Sequence, residues 1–514
     1  MQHPYAQPLA DLFGHLLPEM VLVVCACVLF LGGLFRSCRQ CWGGVALGAI
    51  VLAFVAIFFT SAKQNLDGSA VFAVPLLFDS LATFTRVLAL AAGVVFLLLC
   101  WNDMPERQVA DHHACLLIII AGVSLVGAAN DLVALFLALE MISIPTYILL
   151  YLPRHDDASQ EASIKYFLLS VLSSGLLLFG FSYLFGLAGT TNIAGILEVL
   201  YSASPDESKI VSGLAQIALL TVAAGLGFRI TAVPFHFYAP DVFQGTSASG
   251  AALLSYIPKI AGFVAIVRVF GFVVPAGVDM HSRAIGIALT DQTPILFWFL
   301  AALTMTIGNI LALLQENLKR LLAYSSIAHA GYMLVALAGA PYSDSATSGV
   351  MALFFYLVAY GAMTFGVFAV ILMLNRPERP VETVDDLAGL AKSHPVVALL
   401  MTVLLLSLIG IPLTAGFTGK FLIFFSAMSV QGPKDWLYPL LALIGMLSAA
   451  VGAWYYLRII TVMYLRPAVK PIETRGTLPG LIAVIVCVFL TLSLSVPPGA
   501  NWILNAARQT TIRP

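Results

Sequence analysis

Apolar runs of about 20 residues recur along this chain from end to end, and that is the length a helix needs to cross the hydrocarbon core of a bilayer. Fourteen runs lie near 19–35, 43–62, 79–100, 114–129, 131–151, 163–188, 211–233, 249–275, 293–314, 321–340, 347–374, 395–429, 437–465 and 477–495. Lipid offers no water to pair with open backbone groups, so such runs end as helices or as a closed barrel. Sustained alternation of polar and apolar residues is absent, which argues against the barrel. Composition agrees: 60% of residues are hydrophobic and 10% charged, against about 25% charged in soluble domains. The mean hydropathy is +0.97. The expected fold is therefore all-α and polytopic, with about 14 transmembrane helices. A net charge of -1 implies no nucleic-acid partner. The start, MQHPYAQPLADLFGHLLPEM, lacks a basic n-region, so no cleaved signal peptide is expected.

Seven cysteines fit no disulfide framework. Cys38 and Cys41 form one CxxC in a short loop, with no second pair and no nearby His, and read as plain loop thiols rather than a metal or cluster site.

Lys and Arg in the loops set orientation. One side collects Arg36, Arg39, Arg107, Arg154, Lys319, Arg320, Arg376, Arg379, Lys392, Arg466, Lys470 and Arg475, and the other Lys63, Lys209, Arg283, Lys434, Arg508 and Arg513. The richer side is expected to be cytoplasmic, with both termini opposite.

Two runs are interrupted alike. Run 7 ends in GFRITAVPFHFYAPDV, with Pro234 and Pro240, and run 12 reads SLIGIPLTAGFTGKF, with Gly410, Pro412, Gly416 and Gly419. Proline removes a helix hydrogen bond and kinks the chain. Breaks five runs apart suggest two inverted five-helix repeats, a layout that marks ion paths; ordinary proline kinks are the simpler reading. The expected segments are 1–112 (three helices), 113–275 (first repeat), 293–466 (second repeat) and 467–514 (last helix and tail).

Charges inside the runs carry the functional signal. Lys165, Arg229, Lys259, Lys420 and Glu140 all fall there. A charge at mid-bilayer costs about 2.5–3.5 kcal/mol on insertion scales and persists where it meets a partner or lines a wet path. A row of them reads as a proton path.

Five strings carry a resemblance: EASIKYFLLS (161–170), GFRITAVPFHFYAPDVFQG (227–245), PKIAGF (258–263), NLKRLLAYSSIAHAGYMLVAL (317–337) and GIPLTAGFTGKF (410–421). They resemble the antiporter-like subunits of complex I, the proton-pumping NADH:quinone oxidoreductase, and most of all its N subunit. The likeness spans nearly the whole chain. It implies a bacterial inner (plasma) membrane, other membrane subunits of complex I and the bilayer as partners, and quinone acting in those other subunits. No dinucleotide fingerprint, haem ligand set or cysteine cluster motif is present, so no cofactor is expected on this chain. M-type relatives usually have Glu where this chain has Lys420. L-type relatives carry a long lateral helix after the last span, and this chain ends soon after run 14. Subunits of multisubunit cation/proton antiporters share the broken helices and remain the alternative.

The resemblance implies roles by position. Glu140 takes the place of a glutamate that pairs with a nearby lysine, with Lys165 and Arg229 at the basic positions beside it. Lys259 takes the place of the central relay lysine and Lys420 that of the terminal one. His329 lies between them in chain order. Arg229 departs from the pattern, which has Lys there.

A relay group must gain and lose a proton near neutral pH. Free Lys titrates near about 10.4, and burial and neighbouring positive charge bring lysines down while a carboxylate opposes this. A static Glu140–Lys165 pair holding two helices is the plainer reading of those two. Arg does not deprotonate in a protein, so Arg229 offers a fixed charge. Ser325, His329 and Tyr332 share a helix face and suggest a hydrogen-bonded wire, with a packed histidine as the alternative. His236, after Pro234, suits an inlet or a plain loop. Asp79 and Arg86, seven apart on one face, read as a structural pair.

Overall fold

The structure, a computed structural model, describes residues 13–60, 71, 74–152, 156–202, 208–272, 287–342, 348–375, 381–430, 435–468, 473–474 and 477–511. Lys63, Arg154, Arg283, Arg376, Arg379, Lys434, Lys470, Arg475 and Arg513, on which the expected orientation partly rests, lie outside these residues, and so does the side chain of Lys209.

Helices α1 (Leu17–Phe35), α2 (Arg39–Thr60) and α3 (Ser80–Cys100) come first. Then follow α4 (Val109–Ala128), α5 (Leu132–Tyr151), α6 (Asp157–Ala188) and the short α7 (Ile193–Ser202). Run 7 becomes α8 (Ser208–Arg229) and α9 (Ala239–Gly245), and α10 (Ala248–Val269) follows. The second half holds α11 (Ile287–Leu313), α12 (Leu318–Gly339), α13 (Gly349–Met373) and the single turn α14 (Leu390–Ser393). Run 12 becomes α15 (Pro395–Ile409) and α16 (Ala415–Met428). The chain closes with α17 (Leu437–Leu465), α18 (Leu478–Ser493) and α19 (Pro497–Thr511). One antiparallel strand pair, Leu374–Asn375 with Glu473–Thr474, ties two loops together.

Among the described residues, 11 helices are long and apolar enough to cross a membrane, or up to 12 if the pair α18 and α19, bent by 88°, counts as one. The remaining expected runs map onto shorter apolar helices, Gly213–Arg229, Pro395–Ile409 and Ala415–Met428. The all-α polytopic expectation holds. The helix α19 was not anticipated in the tail.

Both expected breaks are present. Helix α8 stops at Arg229, and the chain turns through Thr231, at φ 58°, and Pro234 before α9. Helix α15 stops at Ile409 because Gly410 takes the left-handed conformation, at φ 93°, and its N–H closes on the Leu406 carbonyl at 3.0 Å. Glycine adopts that conformation without a Cβ clash, and Pro412 prevents the helix from resuming at once.

Burial separates two kinds of helix. Every residue of α10 from Ser249 to Val269 is buried, and so is every residue of α12 except Arg320 and Tyr324. Helices α10, α12 and α13 pack on one another, α8 lies against α10, and α16 against α12 and α13. By contrast α1, α2 and α17 bury one side and leave large apolar side chains on the other. That is the pattern of a bundle whose perimeter faces lipid or other membrane helices. The sulfurs of Cys38, in the α1–α2 linker, and Cys41, in the first turn of α2, are paired as a disulfide, which corrects the reading of plain thiols.

Candidate functional site: a buried row of charged and hydroxyl side chains

The first cluster joins α5, α6 and α8. Arg229, the last residue of α8, puts Nη2 3.2 Å from Glu140 Oε1. Its Nη1 donates to Ser143 Oγ at 2.7 Å and to the Leu139 carbonyl at 3.3 Å. Ser174 donates to the same Glu140 oxygen at 2.6 Å. A guanidinium presents several donors in a fixed plane, which suits three acceptors on one face of α5. The end of α8 reinforces it, because exposed carbonyls make a helix C-terminus negative.

Lys165 is not part of this cluster, and the expected Glu140–Lys165 pair is not formed. Its ammonium lies 2.7 Å from Glu161, one turn earlier on α6, and 3.2 Å from Asp241 on α9. Its side chain is 40% exposed. Arg320 joins the group, 2.5 Å from the other Asp241 oxygen. Lys165 thus belongs to an ion-pair network at the end of the bundle. Helix rotation explains the difference: Ser174, nine residues further along α6, is the residue that meets Glu140.

The second cluster spans α10, α12, α13, α16 and α17. Lys259 is fully buried and donates to Ser326 Oγ on α12 at 2.6 Å. No carboxylate pairs with it among the described residues. Three residues beyond Ser326 on the same face is His329, whose Nδ1 is 2.5 Å from the Tyr356 hydroxyl and Nε2 3.1 Å from the Tyr456 hydroxyl. Ser325 shares a hydrogen bond with Tyr456. The wire expected through Ser325, His329 and Tyr332 is therefore rerouted. Tyr456 links Ser325 to His329, while Tyr332 meets His329 edge-on, with ring centroids 5.6 Å apart, and takes its hydroxyl bond from Asn309.

Lys420 closes the row. Its Nζ donates to the carbonyls of Leu408 and Ile409, at 2.8 and 2.9 Å, which are the last of α15. Those groups lack intrahelical partners because the helix breaks there. The ammonium also lies 5.0 Å from the centre of the Tyr332 ring, within cation–π range. Gly419 lets α16 approach this closely, since a Cβ there would run into the Tyr356 ring. Helix α12 thus carries Ser326, which takes the Lys259 bond, His329, and Tyr332, whose ring faces Lys420, while no hydrogen bond among the described residues links Ser326 to His329 or His329 to Lys420. No hydrogen bond or ion pair among the described residues joins this row to the Glu140–Arg229 cluster, although Gly262, one turn past Lys259, packs α10 against Arg229, with an added Cβ 3.4 Å from Arg229 Cβ.

Asp79 and Arg86 do not pair. Asp79 receives both terminal nitrogens of Arg268 at 2.6 Å, and Arg86 holds Glu19 through Nε at 2.8 Å and Nη2 at 2.9 Å. Both pairs link helices far apart in sequence, which spacing alone does not reveal. His236 sits in the break between α8 and α9, half-buried, with Nδ1 unpartnered. Sequence reading missed Ser174, Ser326, Tyr356 and Tyr456. The last two had a signal, namely phenol hydroxyls inside otherwise apolar spans.

Residues 129–448 match the family described as NADH:quinone oxidoreductase/Mrp antiporter, TM. NADH-quinone oxidoreductase subunit N 1 of Solibacter usitatus is 35% identical over 500 residues, covering 96% of each chain. NADH-quinone oxidoreductase subunit N of Rhodospirillum rubrum is 36% identical over 495 residues, 94% of this chain and 96% of that one. A chain in the structure of respiratory complex I from Thermus thermophilus with bound aureothin superposes with a TM-score of 0.74 at 28% identity, over 94% of this chain and 97% of its own. The chain belongs to the transmembrane family of NADH:quinone oxidoreductase and Mrp antiporter subunits.

Proposed function

We propose that this chain is a proton-translocating N-type membrane subunit of a bacterial NADH:quinone oxidoreductase, with electron transfer and quinone reduction carried out by its partner subunits. The single observation that carries the proposal is the row from Lys259 through Ser326 and His329 to Lys420, each of these four side chains buried inside the bundle. Every member except Ser326 is a group that exchanges protons, and the hydroxyls of Ser326, Tyr356 and Tyr456 stand beside Lys259 and His329. In this reading Lys259 and Lys420 are the carriers, and His329 with Tyr356 and Tyr456 is the bridge. Glu140 and Arg229 form a charge pair whose separation changes the field at Lys259. Arg229 acts as a fixed cation, and Lys165 serves in the network at the end of the bundle. We assign the basic loops, including Arg36, Arg39 and Arg107, to the cytoplasmic side, and both termini to the opposite face of the inner membrane.

Purification from detergent-solubilised native membranes tests the assignment. Co-purification with an assembly that oxidises NADH, reduces quinone and acidifies one side of a liposome is the expected result. A complex without redox activity that exchanges a metal cation for protons would instead place the chain with the antiporters. Reporter fusions at the C-terminus test the sidedness.

A further inference from the structure

Far from the buried row, a cavity of about 710 Å³ opens where the α1–α2 loop, the α3–α4 turn and the start of α18 meet. Its walls include Arg36, Arg39, Trp101, Glu106, Thr477 and Leu478. The side chains of Arg36 and Glu106 make no hydrogen bond or ion pair with any described residue. Arg39 is held in place, with Nη2 donating to the Met104 carbonyl at 2.7 Å, while its Nε has no acceptor. Two cations and one carboxylate thus share one recess, and two of these three charges are unused by the protein.

The surroundings fix the depth of the recess. Trp101 lines it, and Trp42 anchors its indole N–H on the Arg36 carbonyl at 2.8 Å. Tryptophans concentrate at the membrane–water interface. Immediately beside the charges stand Leu34, Phe35 and Leu478, 78%, 89% and 72% exposed. The site therefore has a polar floor at headgroup level and an apolar rim toward the hydrocarbon. The α18 N-terminus at Thr477 and Leu478 adds the positive end of a helix dipole.

We infer that this cavity binds the headgroup of a phospholipid, with its phosphate on Arg36 and Arg39 and the ammonium of a phosphoethanolamine head on Glu106. Guanidinium groups match phosphate oxygens in geometry and charge. The acid selects phosphatidylethanolamine over phosphatidylglycerol, because the ammonium of the first pairs with Glu106 and the neutral glycerol of the second offers it no cation. The acyl chains run along Leu34, Phe35 and Leu478. This inference goes beyond proton transfer and stands on different residues.

The test uses the intact complex, washed in detergent and analysed by quantitative lipid mass spectrometry. It is then retitrated with dihexanoyl phosphatidylethanolamine, dihexanoyl phosphatidylglycerol and inorganic phosphate. The Arg36 side chain makes no bond to a described residue of this chain, so Arg36→Gln is expected to leave the fold unchanged. It should lose about one phosphatidylethanolamine per complex and weaken its rebinding by roughly tenfold, the scale of one charge-assisted contact. Glu106→Gln should weaken phosphatidylethanolamine several-fold and leave phosphatidylglycerol unaffected. An unchanged lipid count in Arg36→Gln would overturn the site. Equal effects of Glu106→Gln on both lipids would overturn the ammonium assignment. Displacement of lipid by inorganic phosphate at similar concentration would show a free-anion site instead.

Discussion

Arg229 and Glu140 meet at 3.2 Å across α8 and α5, with Ser174 and Ser143 completing the cage. The pair is mostly buried, at 5% and 21% side-chain exposure. Removing one partner of a buried ion pair leaves the other uncompensated, a cost of about 3–5 kcal/mol. Arg229→Ala is therefore expected to reduce coupled proton pumping by tenfold or more in vesicles. Arg229→Lys should keep assembly and much of the pumping, because a lysine supplies the charge but not the planar fork. Wild-type pumping in Arg229→Ala would make the pair structural only.

For Lys259 the expected outcome of substitution by Ala is an assembled complex that has lost most pumping and coupled quinone reduction. Ser326→Ala, which removes the acceptor at 2.6 Å, should give a partial loss. Blue-native gels establish assembly, and fluorescence quenching in inverted vesicles measures pumping. Full pumping by an assembled Lys259→Ala complex would exclude the residue from the path.

Lys420 combines a cap and a carrier, and two substitutions separate them. Lys420→Arg keeps a donor on the α15 carbonyls but does not release its proton. Lys420→Ala loses both functions, including a cation at a helix C-terminus, a contribution of about 0.3–1 kcal/mol or more when shielded. Thermal stability should fall in Ala and not in Arg, whereas pumping should fall in both. Arg that pumps normally would show that only fixed charge is needed.

The hydroxyls around His329 offer alternative bridges. Tyr356→Phe removes the closer one, at 2.5 Å, and Tyr456→Phe the farther, at 3.1 Å. Each single variant is expected to retain part of the pumping, Tyr456→Phe the more, and the double variant very little. Additive small effects, measured by the same quenching assay, would indicate that neither phenol carries protons.

Lys165→Ala gives the contrasting prediction. Partly exposed ion pairs contribute about 0–1 kcal/mol, and Lys165 touches neither Glu140 nor the row. Pumping should stay within about twofold of wild type, consistent with a contribution of that size. A collapse of pumping in an assembled Lys165→Ala complex would put this lysine back into the relay.

The sequence by itself determined the class of fold and which residues to suspect. Runs of spanning length admit only helices, and Lys259 and Lys420 stand out because a mid-bilayer charge is costly wherever it lacks a purpose. Both helix breaks were legible too, since Gly410 and Pro412 act on the local backbone. Tertiary structure decided the partners. Glu140 takes Arg229 rather than Lys165, Asp79 takes Arg268, Arg86 takes Glu19, and His329 takes Tyr356 and Tyr456 rather than Tyr332. The physical reason is that a hydrogen bond requires approach within about 3.2 Å, and helix rotation and interhelical packing set that distance. Sequence spacing describes one helix surface at a time, while each of these bonds crosses between two.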